Sequence, residues 1–142
     1  LWIHFFGWYL GKTGVIAIDR SAGTKALKAM VKGAEDAAAE GRPVVIFPEG
    51  TRAAPGAKLP YHSGIAMLYG ALKVPVVPIA LNSGLFWRRR GFLKKPGTLV
   101  IQALPAILPG MDRKAFMAEL ETRIETATDA LVAEARQTYP WV

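Results

Sequence analysis

An acid, a hydroxyl and a guanidinium stand close together at Glu49, Thr51 and Arg52, immediately after the apolar run Val44-Val45-Ile46-Phe47. The run is β-branched or aromatic, too short for a helix and bracketed by Pro43 and Pro48, so it reads as a buried strand. In open α/β sheets ligands bind outside the carboxyl ends of strands, which is where these polar groups fall. Gly50 frees the backbone just past the strand, and Arg52 can fork onto an anionic oxygen group. The competing account pairs Glu49 with Arg52 across a surface turn, and for an isolated turn that account is the simpler one.

A second segment repeats the pattern. Val15 to Asp19 is again β-branched and ends in Asp19-Arg20-Ser21. Ser21 or Thr24 can cap the helix that follows, whose apolar positions Leu27, Met30, Val31, Ala34 and Ala38 recur at helical spacing until Gly41 ends it. Strand, helix and strand make a βαβ unit. Parallel strands joined this way put their carboxyl ends on one edge, so Arg20 and Arg52 can converge on one anion.

The remaining elements must hold these groups in place. After a loop over Ala53 to Pro60, Ser63 can cap a short buried helix from Gly64 to Lys73. His62 at its entrance either touches ligand or, the reading favoured here, is a partly exposed spacer. Val74 to Asn82 is a third strand, with Pro78 confined to an edge or a bulge. Leu85 to Lys95 then runs Leu-Phe-Trp-Arg-Arg-Arg-Gly-Phe-Leu-Lys-Lys. Its cations Arg88, Arg89, Arg90, Lys94 and Lys95 alternate with Phe86, Trp87, Phe92 and Leu93, a mixture that suits an anionic membrane surface or nucleic acid, or a solvated loop. Thr98 to Leu104 is a fourth apolar run. Asp112 caps a last helix with Phe116, Leu120, Ile124 and Leu131 on the face that covers a sheet.

Composition narrows the chemistry. The 142 residues suit one domain, residues 1–142. With 18 Lys+Arg against 11 Asp+Glu the net charge is +7, which favours phosphate-bearing substrates, anionic lipid or nucleic acid. The absence of cysteine excludes disulfides, thiolate zinc sites and a Cys nucleophile. His4 and His62 lack the spacing and neighbouring carboxylates of a metal site, so no metal is expected. Leu1 to Leu10 is apolar but far shorter than the roughly 20 residues of a membrane-spanning helix. It packs in the core or lies at a membrane interface. Opening on Leu1 in mid-pattern points to a fragment truncated at its N-terminus.

Ile18-Asp19-Arg20, Phe47-Pro48-Glu49-Gly50-Thr51-Arg52 and Val76-Val77-Pro78-Ile79-Ala80 together resemble, in order and spacing, three sequence blocks of the glycerolipid acyltransferases, most closely the 1-acylglycerol-3-phosphate acyltransferases. The resemblance implies an α/β fold with a mostly parallel central sheet flanked by helices. It implies transfer of an acyl group from acyl-CoA or acyl-carrier protein, as co-substrate and with no cofactor, to the hydroxyl of lysophosphatidate, at the cytoplasmic face of a membrane. Carried over, Arg20 and Arg52 hold the acceptor's phosphate, Glu49, Gly50 and Thr51 shape the glycerol pocket, and Pro78 forms the wall. The family's base is the His of a His-x-x-x-x-Asp motif. Neither His4 nor His62 has Asp five residues on. The motif, and with it every catalytic residue, is expected upstream of Leu1. An anionic membrane is the expected macromolecular partner, and nucleic acid is not. The rival reading is a non-catalytic basic module that binds anionic membrane or nucleic acid through Leu85 to Lys95, which leaves the Phe-Pro-Glu-Gly-Thr-Arg block unexplained.

Overall fold

Alanine-rich sequence with straight-chain neighbours favours helix, and residues 24–39 are such a stretch. A computed structural model of the chain describes Lys12, Val15, Ile16 and residues 23–142. In it helix α1 spans Thr24–Ala39. It starts from Gly23 with no side-chain cap, so Thr24 is the first helical residue rather than the cap. Its end is a Schellman closure, with Gly41 N–H donating to Ala38 O at 3.0 Å and Arg42 N–H to Ala37 O at 2.9 Å. Ala34 and Ala37 are its buried face. Ile16, which is in no assigned strand, lies close under Gly33. Leu1 to Leu10, the rest of the expected strand to Asp19, Arg20 and the alternative cap Ser21 lie outside the described residues.

The chain divides into two compact units, residues 1–44 and 45–142. In the second, helix α2 is Gly64–Leu72 and helix α4 is Arg113–Thr138. Between them come strand β1, Ile79–Leu81, the single-turn helix α3, Ser83–Phe86, and strand β2, Ile101–Ala103. Asp112 caps α4 as its position predicts, accepting from Lys114 N–H and Ala115 N–H at 2.9 and 3.2 Å, and these bonds hold its carboxyl below the usual range. Ser63 stands at the start of α2, but its side chain makes no cap bond.

Two apolar clusters line α4. Near its start Phe116 and Leu120 meet Ile65, Ala66 and Tyr69 of α2. The rings of Tyr69 and Phe116 stack at 3.8 Å and 4°, while the Tyr69 hydroxyl donates to Leu108 O and accepts from Met111 N–H. Near its end Val132 and Ala135 meet Leu85 and Phe86. Between these clusters α4 packs against β1, so the last helix does cover a sheet.

That sheet differs from expectation. β1 pairs antiparallel with β2, Ala80 opposite Gln102. Among the described residues it is the whole sheet, not a mostly parallel one. Hydrophobic runs mark strands without fixing their direction, and here the chain doubles back through α3 so that the third and fourth runs meet head to tail. Pro78 is fully buried just before β1. Lacking an N–H, it separates the ladder from the isolated bridge Val76–Ile107, while its carbonyl still accepts from Leu104 N–H at 2.9 Å. The run Val44 to Phe47, expected as a buried strand, belongs to no strand among the described residues and is largely exposed, Val45 at 74% and Phe47 at 72%.

Phe116→Ala should lower the unfolding free energy by about 3–5 kcal/mol, whereas Phe92→Ala, at an exposed position, should change it by under about 0.5 kcal/mol. Urea titrations followed by circular dichroism compare the two.

Candidate functional site

The polar block is built by a tight turn. Gly50 N–H donates to Phe47 O at 2.9 Å across Pro48 and Glu49, with proline preset for the second position and Gly50 at φ 63, where a side chain would be strained. A long-range bond pins that turn: His62 N–H donates to Pro48 O at 3.0 Å. His62 is exposed, and its backbone N–H is what holds the block.

Glu49 and Arg52 do not pair. The Glu49 carboxylate accepts from Ala53 N–H and lies half-buried near Glu125. Burial, then repulsion from Glu125, push its pKa above the ordinary value, against the lowering effect of the Ala53 bond. Arg52 is exposed, and no carboxylate among the described residues lies within ion-pair distance of it. The surface-turn account therefore fails for this pair. Thr51 is exposed beside Arg52, and Gly50 is half-buried. Pro78, expected to form the site's wall, is enclosed in the core with no open face. Arg20, the expected second guanidinium, lies outside the described residues.

Sequence reasoning missed Tyr61 and Glu125. The Tyr61 hydroxyl donates to Glu125 Oε1 at 3.0 Å, 64 residues away along the chain, and burial followed by this bond drives its pKa up. Glu49 and Glu121 add to the same rise. No local signal could join α4 to the turn in this way.

Beyond Arg52 the chain runs close to the exit of β1. A Cβ on Gly84 would stand 3.2 Å from Pro55 Cγ and 4.0 Å from Ala53 O, so the absence of a side chain there lets the two segments touch. Asn82 ends β1 in the interior and ties it to the chain before β2, accepting from Val100 N–H at 2.9 Å. Two of the expected contact residues in the basic segment are placed differently. Phe86 is 5% exposed and meets the Tyr139 ring edge-on at 5.5 Å, because the turn of α3 aims it at α4 rather than outward. The Lys95 ammonium donates to Trp141 O.

Known proteins resemble the chain in sequence. The profile of the Acyltransferase family matches residues 1–82. The chain belongs to this acyltransferase family. A 1-acyl-sn-glycerol-3-phosphate acyltransferase of Pseudomonas aeruginosa is 37% identical over 94% of the chain and 52% of its own length. One of Limnanthes alba is 30% identical over 75% of the chain and 38% of its length. The human 1-acyl-sn-glycerol-3-phosphate acyltransferase beta is 35% identical over 70% and 35%. The chain thus spans about half the length of the bacterial relative and less of the others. No solved structure matches it significantly. The acyltransferase match covers α1, the Glu49 to Arg52 block, α2 and β1, ending where Asn82 leaves the strand.

Because folding raises the Glu49 pKa above the ordinary 4.5, the native state favours its protonated form, and its ionisation weakens the fold as pH rises through the raised value. Glu49→Gln should raise the melting temperature at pH 7 by about 1–3 °C, a small gain because the carboxyl keeps part of its water, and by less near pH 3.5. Thermal melts at the two pH values measure the difference.

Proposed function

We propose that this chain is the acceptor-binding part of a 1-acylglycerol-3-phosphate acyltransferase, acting at the cytoplasmic face of a membrane. The observation that carries the reading is Arg52: an exposed guanidinium with no carboxylate partner among the described residues, held on a turn whose acid is engaged elsewhere. A phosphate monoester carries up to two negative charges, and a planar guanidinium matches its oxygens in a bidentate way. In this reading Arg20 joins Arg52 on the phosphate, and Gly50 and Thr51 border the glycerol. The Ala53 N–H and the Tyr61–Glu125 pair keep Glu49 from neutralising Arg52.

The reaction joins the acceptor's hydroxyl oxygen to the thioester carbonyl of acyl-CoA or acyl-carrier protein. A tetrahedral adduct forms, its C–S bond breaks, and the thiol leaves with the proton taken from the hydroxyl. In this reading the base is the His of the family's His-x-x-x-x-Asp motif, which neither His4 nor His62 provides. The chain's own residues bind and orient the acceptor so that its hydroxyl meets the thioester.

Two measurements test this. The 142-residue chain alone should show no thiol release from acyl-CoA with lysophosphatidate, since general-base assistance alone contributes typically 10²–10⁴-fold; turnover by it would mean that another residue is the base. In the full-length protein Arg52→Lys should lower kcat/KM for lysophosphatidate by at least about tenfold, through loss of a charge-assisted contact. On an acceptor without phosphate the loss should vanish. An equal loss on both acceptors would make Arg52 structural.

A further inference from the structure

An exposed aromatic beside an exposed aliphatic is costly in water, and residues 87–94 hold such a pair at Phe92, 95% exposed, and Leu93, 82% exposed. Around them Arg88, Arg89, Arg90 and Lys94 are all exposed, and none makes an ion pair among the described residues. Trp87 is half-exposed, with the Lys94 ammonium 4.7 Å over its ring. No acid lies within the segment. Apolar tips inside a ring of cations are the composition of a surface that enters a headgroup layer while its charges meet lipid phosphates.

The base of the segment is fixed. Lys95 N–H donates to Phe86 O at 2.9 Å, closing the loop, and Phe86 is anchored in the cluster at the end of α4. Trp141 Nε1 donates to Pro96 O at 3.2 Å, and the Lys95 ammonium binds the Trp141 carbonyl. Lys95 and Phe86 are thus the clamp, and Trp87 to Lys94 the part projected into solvent. The clamp grows out of α3, whose Gly84 touches the Ala53 to Pro55 segment directly after Arg52. The projecting loop and the anion-binding turn therefore share one region of residues 45–142.

We propose that Trp87 to Lys94 is a docking loop for an anionic lipid bilayer, which it enters through Phe92 and Leu93 without spanning. No helix among the described residues is long and apolar enough to cross a membrane. The choice of a lipid partner draws on the proposed amphiphilic acceptor, which must be lifted from a bilayer beside Arg52; the loop's exposure and charge stand without it. Nucleic acid would also attract the cations, but base stacking calls for aromatic faces at successive positions, and here the two most exposed large apolar side chains are Phe92 and Leu93, with Trp87 half-exposed five residues before Phe92.

Vesicle co-sedimentation of the 142-residue chain, with no thioester or acceptor present, separates this docking from acyl transfer: failure here leaves the Arg52 test untouched, and the reverse. The chain should partition onto phosphatidylcholine vesicles containing phosphatidylglycerol, far less onto phosphatidylcholine alone, and less with added salt. Each cation at such a surface is worth about fivefold in partitioning, so Arg88→Gln, Arg89→Gln, Arg90→Gln and Lys94→Gln together should reduce binding by at least about a hundredfold. Phe92→Ser with Leu93→Ser should reduce it by at least about tenfold at unchanged charge. Both variants should melt like the parent, since every substituted position is exposed. Equal binding to the two vesicle types, binding unaffected by either variant, or binding to single-stranded DNA with none to vesicles would overturn the proposal.

Discussion

The stack of Tyr69 on Phe116 is the contact on which the second unit depends. It locks α2 to the start of α4 across 47 residues of sequence, and the Tyr69 hydroxyl carries the same restraint into the turn before α4. Once α2 is fixed, so is the backbone at its entrance. His62 N–H then reaches Pro48 O, and the turn that carries Glu49 and Arg52 is held from outside rather than by its own few bonds. A buried aromatic pair thus sets the position of an exposed guanidinium.

The far end of α4 does the corresponding work for the basic segment. Val132 and Ala135 enclose Phe86, Tyr139 meets the same ring edge-on, and the chain end at Trp141 closes over Pro96 and Lys95. One long helix therefore braces two exposed cationic features, each through an aromatic contact. Long flexible cations lose more entropy than short side chains when ordered, so it is the backbone beneath them that a fold can hold at low cost.

Electrostatics around the block follow from the same packing. Burial of Glu49, and then repulsion from Glu125 on the α4 face that receives Tyr61, raise its pKa against the lowering effect of the Ala53 N–H. Had Glu49 turned to Arg52, the pair would have been an ordinary surface ion pair of small worth. Repulsion among acids does not attract an anion by itself. It does leave the adjacent guanidinium without a competitor.

Local chemistry was legible from sequence wherever a few neighbouring residues decide the outcome. Gly41 as the end of α1, Asp112 as the cap of α4, the apolar face of Phe116, Leu120 and Leu131, and the polar turn after Phe47 all rest on spacing within a turn or two. The acyltransferase family was legible for the same reason, because its most specific block is six consecutive residues. Strand direction was not: apolar runs read the same either way, and only the reversal through α3 made β1 and β2 antiparallel. Nor could sequence tell that Phe86 is core and Phe92 is surface, since both are aromatic residues in one basic stretch. Which ring is buried depends on where α4 passes, and the bonds that decide it, like that between Tyr61 and Glu125, join residues about 50 to 64 positions apart.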